Sequence, residues 1–223
     1  MSQPDSQAVP VKIIMVGSIN VGKTSLVAKY ATGKNPLIKE STKNASYVNK
    51  FKKVNGIKFE IKLWDTAGQE KYKSLTKLFI KDARIAILVY SIDNEESFND
   101  LDAWLTLIKS MNDETVLYGV CANKSDLASE KTIPDERGKE YAKRIGAEWT
   151  STSAIINGKG IDKFVETLFI KYYNSNFNLN NTASLSITLS SEKTKVEKKS
   201  CCGGGSDGKN DKNQSQTQST QNN

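Results

Sequence analysis

Apolar positions follow two different periods along residues 11–173. Short continuous apolar runs, which are typical of buried strands, occupy residues 11–16, 58–64, 85–90 and 116–122, with a further strand-like segment (AEWT) at 147–150. A helix is predicted directly after the first strand, where the chain reads SLVAKYA. Apolar residues also recur every three or four positions in longer stretches, which predict helices over residues 71–81, 95–111, 134–145 and 161–173. Strands that alternate with helices in this way predict a mostly parallel sheet with helices on both faces.

Residues 45–59 depart from this alternation. Two strand candidates meet there at Asn55-Gly56 with no helix between them, and Asn-Gly is a favoured pair for a tight turn between antiparallel strands. The segment therefore predicts a hairpin that supplies one antiparallel edge strand. With it, the predicted sheet has six strands.

The composition of the chain changes at residue 174. Residues 174–223 are rich in Asn, Ser, Thr, Gln, Lys and Gly, which bury too little apolar surface to offset chain entropy, so they predict a disordered tail. Residues 1–10 predict a flexible N-terminus and residues 11–173 a single domain. No apolar run approaches the roughly 20 residues that span a bilayer. The N-terminus resembles no targeting signal, so we expect a cytoplasmic protein.

Charge and cysteine content narrow the class of protein. The net charge is +7, but the lysines are scattered among acidic residues, so we expect no nucleic-acid binding. Three cysteines, two of them adjacent, fit a reducing compartment. Cys121 lies inside an apolar run and is predicted to be a buried small hydrophobe. Trp104, at helical spacing with neighbouring leucines, is predicted to pack in the core.

A glycine-containing loop between the first strand and the first helix is the clearest candidate for chemistry. Residues 17–24 (GSINVGKT) fit the pattern G-x-x-x-x-G-K-[ST]. Gly17 and Gly22 let successive backbone amides face one anion, and the helix that follows adds its positive N-terminal end. Lys23 is then placed to meet the β- and γ-phosphates, and the Thr24 hydroxyl can ligate Mg²⁺.

A second candidate follows the strand that ends in IKLW. There Asp65 is placed to hold the metal, through water, and Gly68 lets its backbone N–H approach the γ-phosphate. Gln69 can orient the attacking water because its amide both donates and accepts hydrogen bonds. Thr42, in the irregular segment before the second strand, is expected from its position to reach the metal and the γ-phosphate.

A third group of residues predicts which base is bound. Asn123, Lys124 and Asp126 follow the apolar run VLYGVCA. A carboxylate only accepts hydrogen bonds, so Asp126 suits the N1–H and amino donors of guanine and would face a lone pair on adenine N1. Asn123 can tie neighbouring loops together, and the stem of Lys124 can lie over the ring. Residues 152–154 (TSA) would offer a backbone N–H to guanine O6.

These elements, in this order, resemble the Ras superfamily of small GTPases, and the segments WDTAGQE, YKSL, VYSIDNEESF and NKSDL look most like its Rab branch. The resemblance covers residues 11–173 and implies an α/β fold with a single P-loop GTPase domain. It also implies guanine nucleotide exchange factors, GTPase-activating proteins and effectors as partners, and slow GTP hydrolysis in vesicle traffic. In Rab proteins three aromatic residues form a partner-binding patch, and the matching residues are Tyr47, Trp64 and Phe79; a core-packing role is the alternative.

The residues assigned to the nucleotide and its metal are spread over four segments. Catalysis is assigned to Gln69 and Lys23, and magnesium to Thr24, Thr42 and Asp65. The remaining nucleotide contacts are assigned to Gly17, Ser18, Ile19, Asn20, Val21, Gly22, Ser25, Gly68, Asn123, Lys124, Asp126, Ser153, Ala154 and Ile155.

Several residues depart from the family pattern. Ile19 replaces a small residue close to the γ-phosphate, and Ile155 replaces the usual lysine after Ser-Ala. Lys43-Asn44 stand where Ile-Gly is customary, and Asn35 stands where relatives stack an aromatic ring on guanine. Negligible turnover, which would make the protein a nucleotide-bound interaction module, is therefore an alternative to a cycling switch. A P-loop kinase or ATPase is a further alternative, which Asn123 and Asp126 disfavour.

The adjacent cysteines Cys201 and Cys202 follow a lysine-containing stretch, as the lipidated pair of Rab proteins does. However, 21 residues follow Cys202, so the terminal lipidation motif is not met as written. Lipidation after trimming, palmitoylation and a non-functional remnant remain alternatives. Reversible attachment to the cytosolic face of an intracellular membrane is the expected location.

Overall fold

The computed structural model describes residues 7–34, 46–66, 78–112, 115–156 and 160–177. These residues contain six strands and five α-helices, numbered here in chain order, together with a short 3-10 helix (Ala128–Glu130) and helical residues at 78–80. The strands are β1 (Val9–Val16), β2 (Ser46–Val54), β3 (Ile57–Asp65), β4 (Ile85–Ser91), β5 (Leu117–Asn123) and β6 (Glu148–Ser151). The helices are α1 (Lys23–Thr32), α2 (Glu95–Asn99), α3 (Leu101–Met111), α4 (Asp135–Ile145) and α5 (Ile161–Phe177).

The strands form one six-stranded sheet in the order β2-β3-β1-β4-β5-β6. Neighbouring strands are parallel, except β2 and β3, which are antiparallel. This confirms the predicted fold class, a mostly parallel sheet with one antiparallel edge strand. Because β1, β3, β4, β5 and β6 point the same way, their carboxyl ends meet at one end of the sheet. The loops that carry the predicted site residues leave the sheet at that end.

The predicted turn at Asn55-Gly56 joins β2 to β3. Asn55 has φ 48° and Gly56 has φ 82°, so both residues adopt left-handed conformations. Asparagine and glycine tolerate these values better than other residues, and such turns match the twist of the two strands. The turn pairs Val54 with Ile57 and fixes the register of the whole hairpin.

A hydrophobic core lies on each face of the sheet. Helices α1 and α5 cover one face, where Leu26 and Leu168 are fully buried. Helices α2, α3 and α4 cover the other, where Trp104 is 6% exposed. Cys121 is fully buried in β5. The packing roles predicted for Trp104 and Cys121 are thus confirmed.

Three element boundaries differ from the prediction. The first strand begins at Val9, inside the segment predicted to be flexible. The helix predicted over residues 95–111 is divided at Asp100, which has φ −69° and ψ −13°. Its carboxylate accepts a hydrogen bond from Ser18 on the glycine loop. Helix α5 continues four residues past its predicted end because Phe177 packs its ring 5.3 Å from that of Phe59.

The predicted helix over residues 71–81 falls mostly outside the described residues. Within the described part of the chain, no helix combines the length and the apolar character needed to cross a bilayer.

Candidate functional site

The glycine loop between β1 and α1 is shaped by two glycines. Gly17 has φ 145°, and a Cβ at this position would lie 2.1 Å from the carbonyl oxygen of Val89, so no larger residue fits. Gly22 has φ 92° and caps α1, and a Cβ there would lie 2.4 Å from Nδ2 of Asn123. The loop is therefore packed directly against β4 and against the end of β5. A loop built this way presents its backbone amides to an anion.

Lys23 is buried in this loop, 5% exposed. Its ammonium donates to the carbonyl oxygens of Gly17 at 2.8 Å and of Ser18 at 2.9 Å. Burial lowers the pKa of Lys23 to about 8, and the negative charge of Asp65 acts in the opposite direction. An anionic phosphate beside the ammonium would favour its charged form further.

Asp65 ends β3 and is 1% exposed. The next residue, Thr66, donates its hydroxyl hydrogen to the carbonyl oxygen of Met15 at 2.6 Å, which fixes the end of β3 against β1. Thr24, in the first turn of α1, is half-buried. A buried carboxylate and a hydroxyl supply the oxygen ligands that Mg²⁺ prefers, so Asp65 and Thr24 fit this metal.

Asn123 links the glycine loop to the loop after β6. Its Nδ2 donates to the carbonyl oxygen of Val21 at 2.7 Å, and its Oδ1 accepts from the hydroxyl of Thr152 at 3.3 Å. Asn123 and Thr152 are each 1% exposed. In addition, the backbone N–H of Ser125 donates to the carbonyl oxygen of Thr152 at 3.0 Å. Three loops at the carboxyl end of the sheet are thus joined around one buried amide.

Asp126 and Ser153 form a second link between these loops. The Ser153 hydroxyl donates to Oδ1 of Asp126 and accepts from the backbone N–H groups of Ile155 at 3.0 Å and Ile156 at 3.1 Å. The buried serine orients the carboxylate and stabilises the turn that follows β6. Ala154 is 7% exposed, whereas the side chain of Ile155 is 60% exposed.

Lys124 adopts a left-handed conformation, with φ 62°. Its ammonium lies 3.5 Å from a carboxylate oxygen of Asp93 in the loop after β4. Burial alone would raise the pKa of Asp93, but a hydrogen bond from Ser91 and the charge of Lys124 lower it overall. This ion pair therefore links the loop after β5 to the loop after β4.

Two contacts of the site were not predicted from the sequence. Lys29, on the apolar face of α1 and 5% exposed, donates to the carbonyl oxygens of Ala154 at 3.1 Å and Ile156 at 2.7 Å. The sequence did contain one indication of this contact, because Lys29 stands at a core-facing position of an amphipathic helix, where a buried ammonium needs acceptors. Ser18 bonds to Asp100, which is 82 positions away in the chain, and no local pattern indicates such a pair.

The described residues contain only part of the predicted site. Ile19 and Asn20 are exposed on the glycine loop, Ile19 to 38%, and Ser25 is half-buried in α1. The remaining predicted residues lie outside the described part of the chain, namely Asn35, Thr42, Lys43, Asn44, Gly68, Gln69, Cys201 and Cys202.

Three aromatic rings form a cluster beside the end of β3. The ring of Trp64 lies 4.7 Å from that of Tyr47 and 5.6 Å from that of Phe79. All three residues are half-buried, so the cluster combines packing with a partly accessible surface.

The parallel sheet, the glycine loop at the end of β1 and the linked loops after β5 and β6 define a P-loop nucleotide-binding protein. The sequence model of the Ras family matches residues 12–174. The chain belongs to the Ras family of small GTPases, and its relatives place it in the Rab-like branch.

The relatives carry Rab names. The chain is 37% identical over 146 residues to the Ras-related protein Rab-21 of Geodia cydonium, a match that covers 66% of this chain and 64% of that protein. It is 35% identical over 153 residues to the Ras-related protein Rab-26 of Rattus norvegicus, covering 67% of this chain and 59% of that protein. It is 32% identical over 157 residues to the Ras-related protein RABA1b of Arabidopsis thaliana, covering 70% and 73%. The chain thus spans somewhat less than two thirds of the length of the first two relatives.

Proposed function

We propose that this protein is a Rab-like molecular switch that binds GTP with Mg²⁺, hydrolyses it slowly to GDP, and acts in vesicle traffic. The observation that carries the proposal is the buried amide of Asn123, which joins the glycine loop to the loops after β5 and β6. A phosphate-binding loop and a base-reading carboxylate are thereby held in one rigid unit. Membership of the Ras family supports the same conclusion.

In this proposal the residues of the glycine loop bind the phosphates. Lys23 exchanges its bonds to the carbonyls of Gly17 and Ser18 for bonds to the β- and γ-phosphates. Thr24 and Thr42, with Asp65 through water, would hold magnesium, which would neutralise charge on the phosphate oxygens. The Gly68 amide binds the γ-phosphate, and Gln69 orients the attacking water.

Asp126 supplies the selectivity for guanine. Ser153 already occupies one of its carboxylate oxygens, which leaves the carboxylate oriented to accept from the N1–H and amino groups of the base. Ala154 and Ile155 follow Ser153 in a turn where a backbone N–H can meet guanine O6. Adenine offers a lone pair at N1 instead, so it would give this half-buried carboxylate no donor and would face it with a second acceptor.

Competition for a fluorescent GDP analogue tests this proposal. We expect unlabelled GDP to displace N-methylanthraniloyl-GDP at a concentration about 10³-fold or more below that of ADP, because a site built to hydrogen-bond one base rejects the other strongly. Asp126→Asn exchanges an acceptor for an amide that can donate, so this variant should lose GDP and gain xanthosine diphosphate. Equal displacement by GDP and ADP would favour the kinase or ATPase alternative.

Ile19 supports slow hydrolysis of GTP. An exposed branched side chain on the glycine loop crowds the region where water and an activating residue must be placed. Placement carries most of the catalysis in phosphoryl transfer, so crowding should affect the rate more than binding. Negligible turnover would instead make the protein a nucleotide-bound interaction module.

The proposed partners follow from family membership. They are a guanine nucleotide exchange factor, a GTPase-activating protein and effectors that read the nucleotide state, with the Tyr47, Trp64 and Phe79 cluster as an effector contact. We place the protein in the cytoplasm, reversibly attached to the cytosolic face of a membrane through lipidated Cys201 and Cys202. Intact mass of the protein from its native cell tests the lipid modification, which unmodified cysteines on membrane-bound protein would contradict.

A further inference from the structure

The turn end of the β2–β3 hairpin presents a basic and aromatic surface. Phe51 and Lys53 project from the same side of β2, and Lys58 lies directly opposite Lys53 on β3. Phe51 is 51% exposed, and the ammonium of Lys58 lies 5.0 Å from the centre of its ring. We call these three residues the hairpin face.

The charges of the hairpin face oppose folding. Like charges directly opposite each other in an antiparallel pair are destabilising, and Lys53 and Lys58 form such a pair. Among the described residues, neither lysine has an acidic side chain within ion-pair distance. Glu60, in register with Phe51, is engaged by Lys62 and Asn49, each at 3.2 Å.

On the opposite side of β2, the lysines form ion pairs with acidic residues of α5. Lys50 forms an ion pair with Asp162 at 3.0 Å, and Lys52 forms one with Glu166 at 2.6 Å. The lysines of β2 that face α5 are therefore paired with acidic residues. Lys53, which faces the other way, has no acidic partner among the described residues. A local cost of this kind often accompanies a binding function.

Helix α5 ends near the hairpin turn, on the side of the hairpin that lies opposite the hairpin face. The side-chain amide of Asn55, in the hairpin turn, donates to the Tyr173 hydroxyl oxygen at 3.0 Å. Phe177, the last residue of α5, is 39% exposed and packs its ring 5.3 Å from that of Phe59. The sequence then continues to Asn223 and contains the cysteine pair and several lysines.

The hairpin face lies at the opposite end of the sheet from the nucleotide site. Strand β3 runs from the turn to Asp65 over 9 residues, which is about 30 Å at roughly 3.3 Å per residue. A partner bound at the turn would therefore leave the glycine loop and the linked base loops facing away from it.

We propose that the hairpin face binds the anionic surface of a membrane. Lysines attract acidic headgroups, and an exposed aromatic ring beside them can enter the interface, a combination typical of membrane-surface contacts. The end of α5 near the hairpin turn favours a membrane over an acidic protein, because attachment through the cysteine pair that follows α5 in the sequence would keep this end of the domain close to the bilayer. The inference adds a surface to the proposed switch and does not depend on nucleotide turnover.

Vesicle binding of the full-length, GDP-loaded protein tests the inference. Vesicles of phosphatidylcholine with 30% phosphatidylserine are compared with pure phosphatidylcholine at ~0.15 M salt, near the physiological ionic strength at which surface charges still act. We expect the Lys53→Gln/Lys58→Gln variant to bind the acidic vesicles about 25-fold more weakly than wild type, because each lysine near such a surface contributes about fivefold (about 1 kcal/mol). The substitutions remove a like-charge pair, so thermal unfolding should show an unchanged or higher midpoint.

The matched control carries the same change of charge elsewhere. Lys139 on α4 and Lys163 on α5 are exposed, and Lys139→Gln/Lys163→Gln should change binding by less than about fivefold, the contribution of one bound lysine. Equal loss in both double variants would overturn the inference, because binding would then follow net charge alone. Undiminished binding of Lys53→Gln/Lys58→Gln would also overturn it and would leave the hairpin face to an acidic protein partner.

Direct contact is measured with Phe51→Trp. On acidic vesicles that contain brominated acyl chains, the added tryptophan should be quenched, whereas the emission of wild-type protein should change little. Vesicle binding without extra quenching would mean that the tail alone holds the protein at the membrane, and would contradict docking of the hairpin face. Because GDP binding and hydrolysis are measured separately, failure of this inference is distinguishable from failure of the proposed switch.

Discussion

Ile19 places a branched side chain, 38% exposed, on the glycine loop. If this side chain obstructs the placement of water, Ile19→Gly should accelerate GTP hydrolysis about tenfold or more, a change of about 1.4 kcal/mol in the barrier. Gln69→Leu should slow the accelerated variant again, because it removes the group proposed to orient the water. Single-turnover hydrolysis of preloaded GTP measures both rates.

Phe51 provides the control for this experiment. It is also a large exposed apolar residue, at 51%, but it lies on β2 near the hairpin turn, at the far end of the sheet from the glycine loop. Phe51→Ala should leave the hydrolysis rate within twofold of wild type. Equal rates for wild type and Ile19→Gly would show that Ile19 is no obstruction and that the protein turns over as an ordinary switch.

Lys29 is expected to retain the nucleotide without touching it. Its ammonium binds two carbonyl oxygens of the turn that contains Ala154 and Ile156. Lys29→Met fills a similar volume but leaves these carbonyls without that donor, at a cost of about 1–3 kcal/mol. We expect a lower unfolding temperature and GDP release about tenfold faster, measured with N-methylanthraniloyl-GDP. Lys163→Met, at an exposed position of α5, should change neither, and equal effects of both variants would contradict the assignment.

Single residues were predictable from the sequence where the chemistry is local. Gly17, Gly22 and Lys23 stand in a short pattern, and the backbone geometry shows why glycine is needed twice. Lys29 and Asp100 were not predicted because their partners are backbone carbonyls or side chains from distant segments. Which carbonyl a buried lysine meets depends on how helices pack on the sheet, and the helical pattern alone does not contain that information.

Helix α4 contains a glycine, Gly138, that we expect to stabilise the protein, although glycine usually destabilises a helix. Glycine inside a helix is ordinarily less stable than alanine by about 1 kcal/mol. At Gly138, however, a Cβ would lie 2.2 Å from the Tyr90 hydroxyl and 2.5 Å from Nε1 of Trp149. Helix α4 therefore approaches the sheet closely because this residue has no side chain.

We expect Gly138→Ala to destabilise the protein by about 1–3 kcal/mol, since overpacking outweighs the gain in helix propensity. Urea unfolding followed by circular dichroism measures the change. Gly146→Ala is not a suitable control because Gly146 has a left-handed conformation, with φ 70°. Glu140→Ala, at an exposed position of the same helix, should change stability by less than about 0.5 kcal/mol. A stabilised Gly138→Ala variant would contradict this prediction, because it would show that Tyr90 and Trp149 can move away from the added Cβ without destabilising the fold.

Whole elements were predicted well because each has a strong periodic signal. The Asn-Gly turn and the alternation of strands and helices gave the sheet and its antiparallel edge. The division at Asp100 was not predicted, because residues 95–111 keep one apolar period across it. The hydrogen bond at this division joins Asp100 to Ser18 of the glycine loop, which is distant in the sequence.

At the scale of the molecule, Cys121 reports on unfolding. It is fully buried in β5, and burial raises the pKa of its thiol to about 12 although the Thr152 hydroxyl lies 3.1 Å from the sulfur. The reactive thiolate form of Cys121 is therefore scarce at pH 8, and an alkylating reagent in solution cannot reach the sulfur while the domain is folded.

In a Cys201→Ser/Cys202→Ser variant, we expect iodoacetamide to modify Cys121 at pH 8 only through opening of the domain. GDP with Mg²⁺ at 100 times its dissociation constant should slow labelling about 100-fold, because ligand stabilises only the folded state. Mass spectrometry of quenched samples gives the rate. Rapid labelling of folded protein, unaffected by GDP, would contradict both the burial and the linkage.

The order of the strands was not predictable from the apolar pattern alone. That pattern gives strand positions and the local hairpin, whereas the order β2-β3-β1-β4-β5-β6 arises from crossover connections, among them those that contain α1, α2, α3 and α4. The resemblance to a known family implied the fold, and the structure then showed how the buried amide of Asn123 joins distant loops.

The aromatic cluster at the end of β3 gives the protein a built-in optical probe. Trp64 directly precedes Asp65, packs between Tyr47 and Phe79, and has the ammonium of Lys12 5.2 Å from the centre of its ring. Trp104 lies on α3 and is buried, and Trp149 lies on β6 and is half-buried, so neither belongs to this aromatic cluster. The fluorescence emission of Trp64 therefore offers a way to follow changes at the neighbouring Asp65 carboxylate in real time, without a label on the protein.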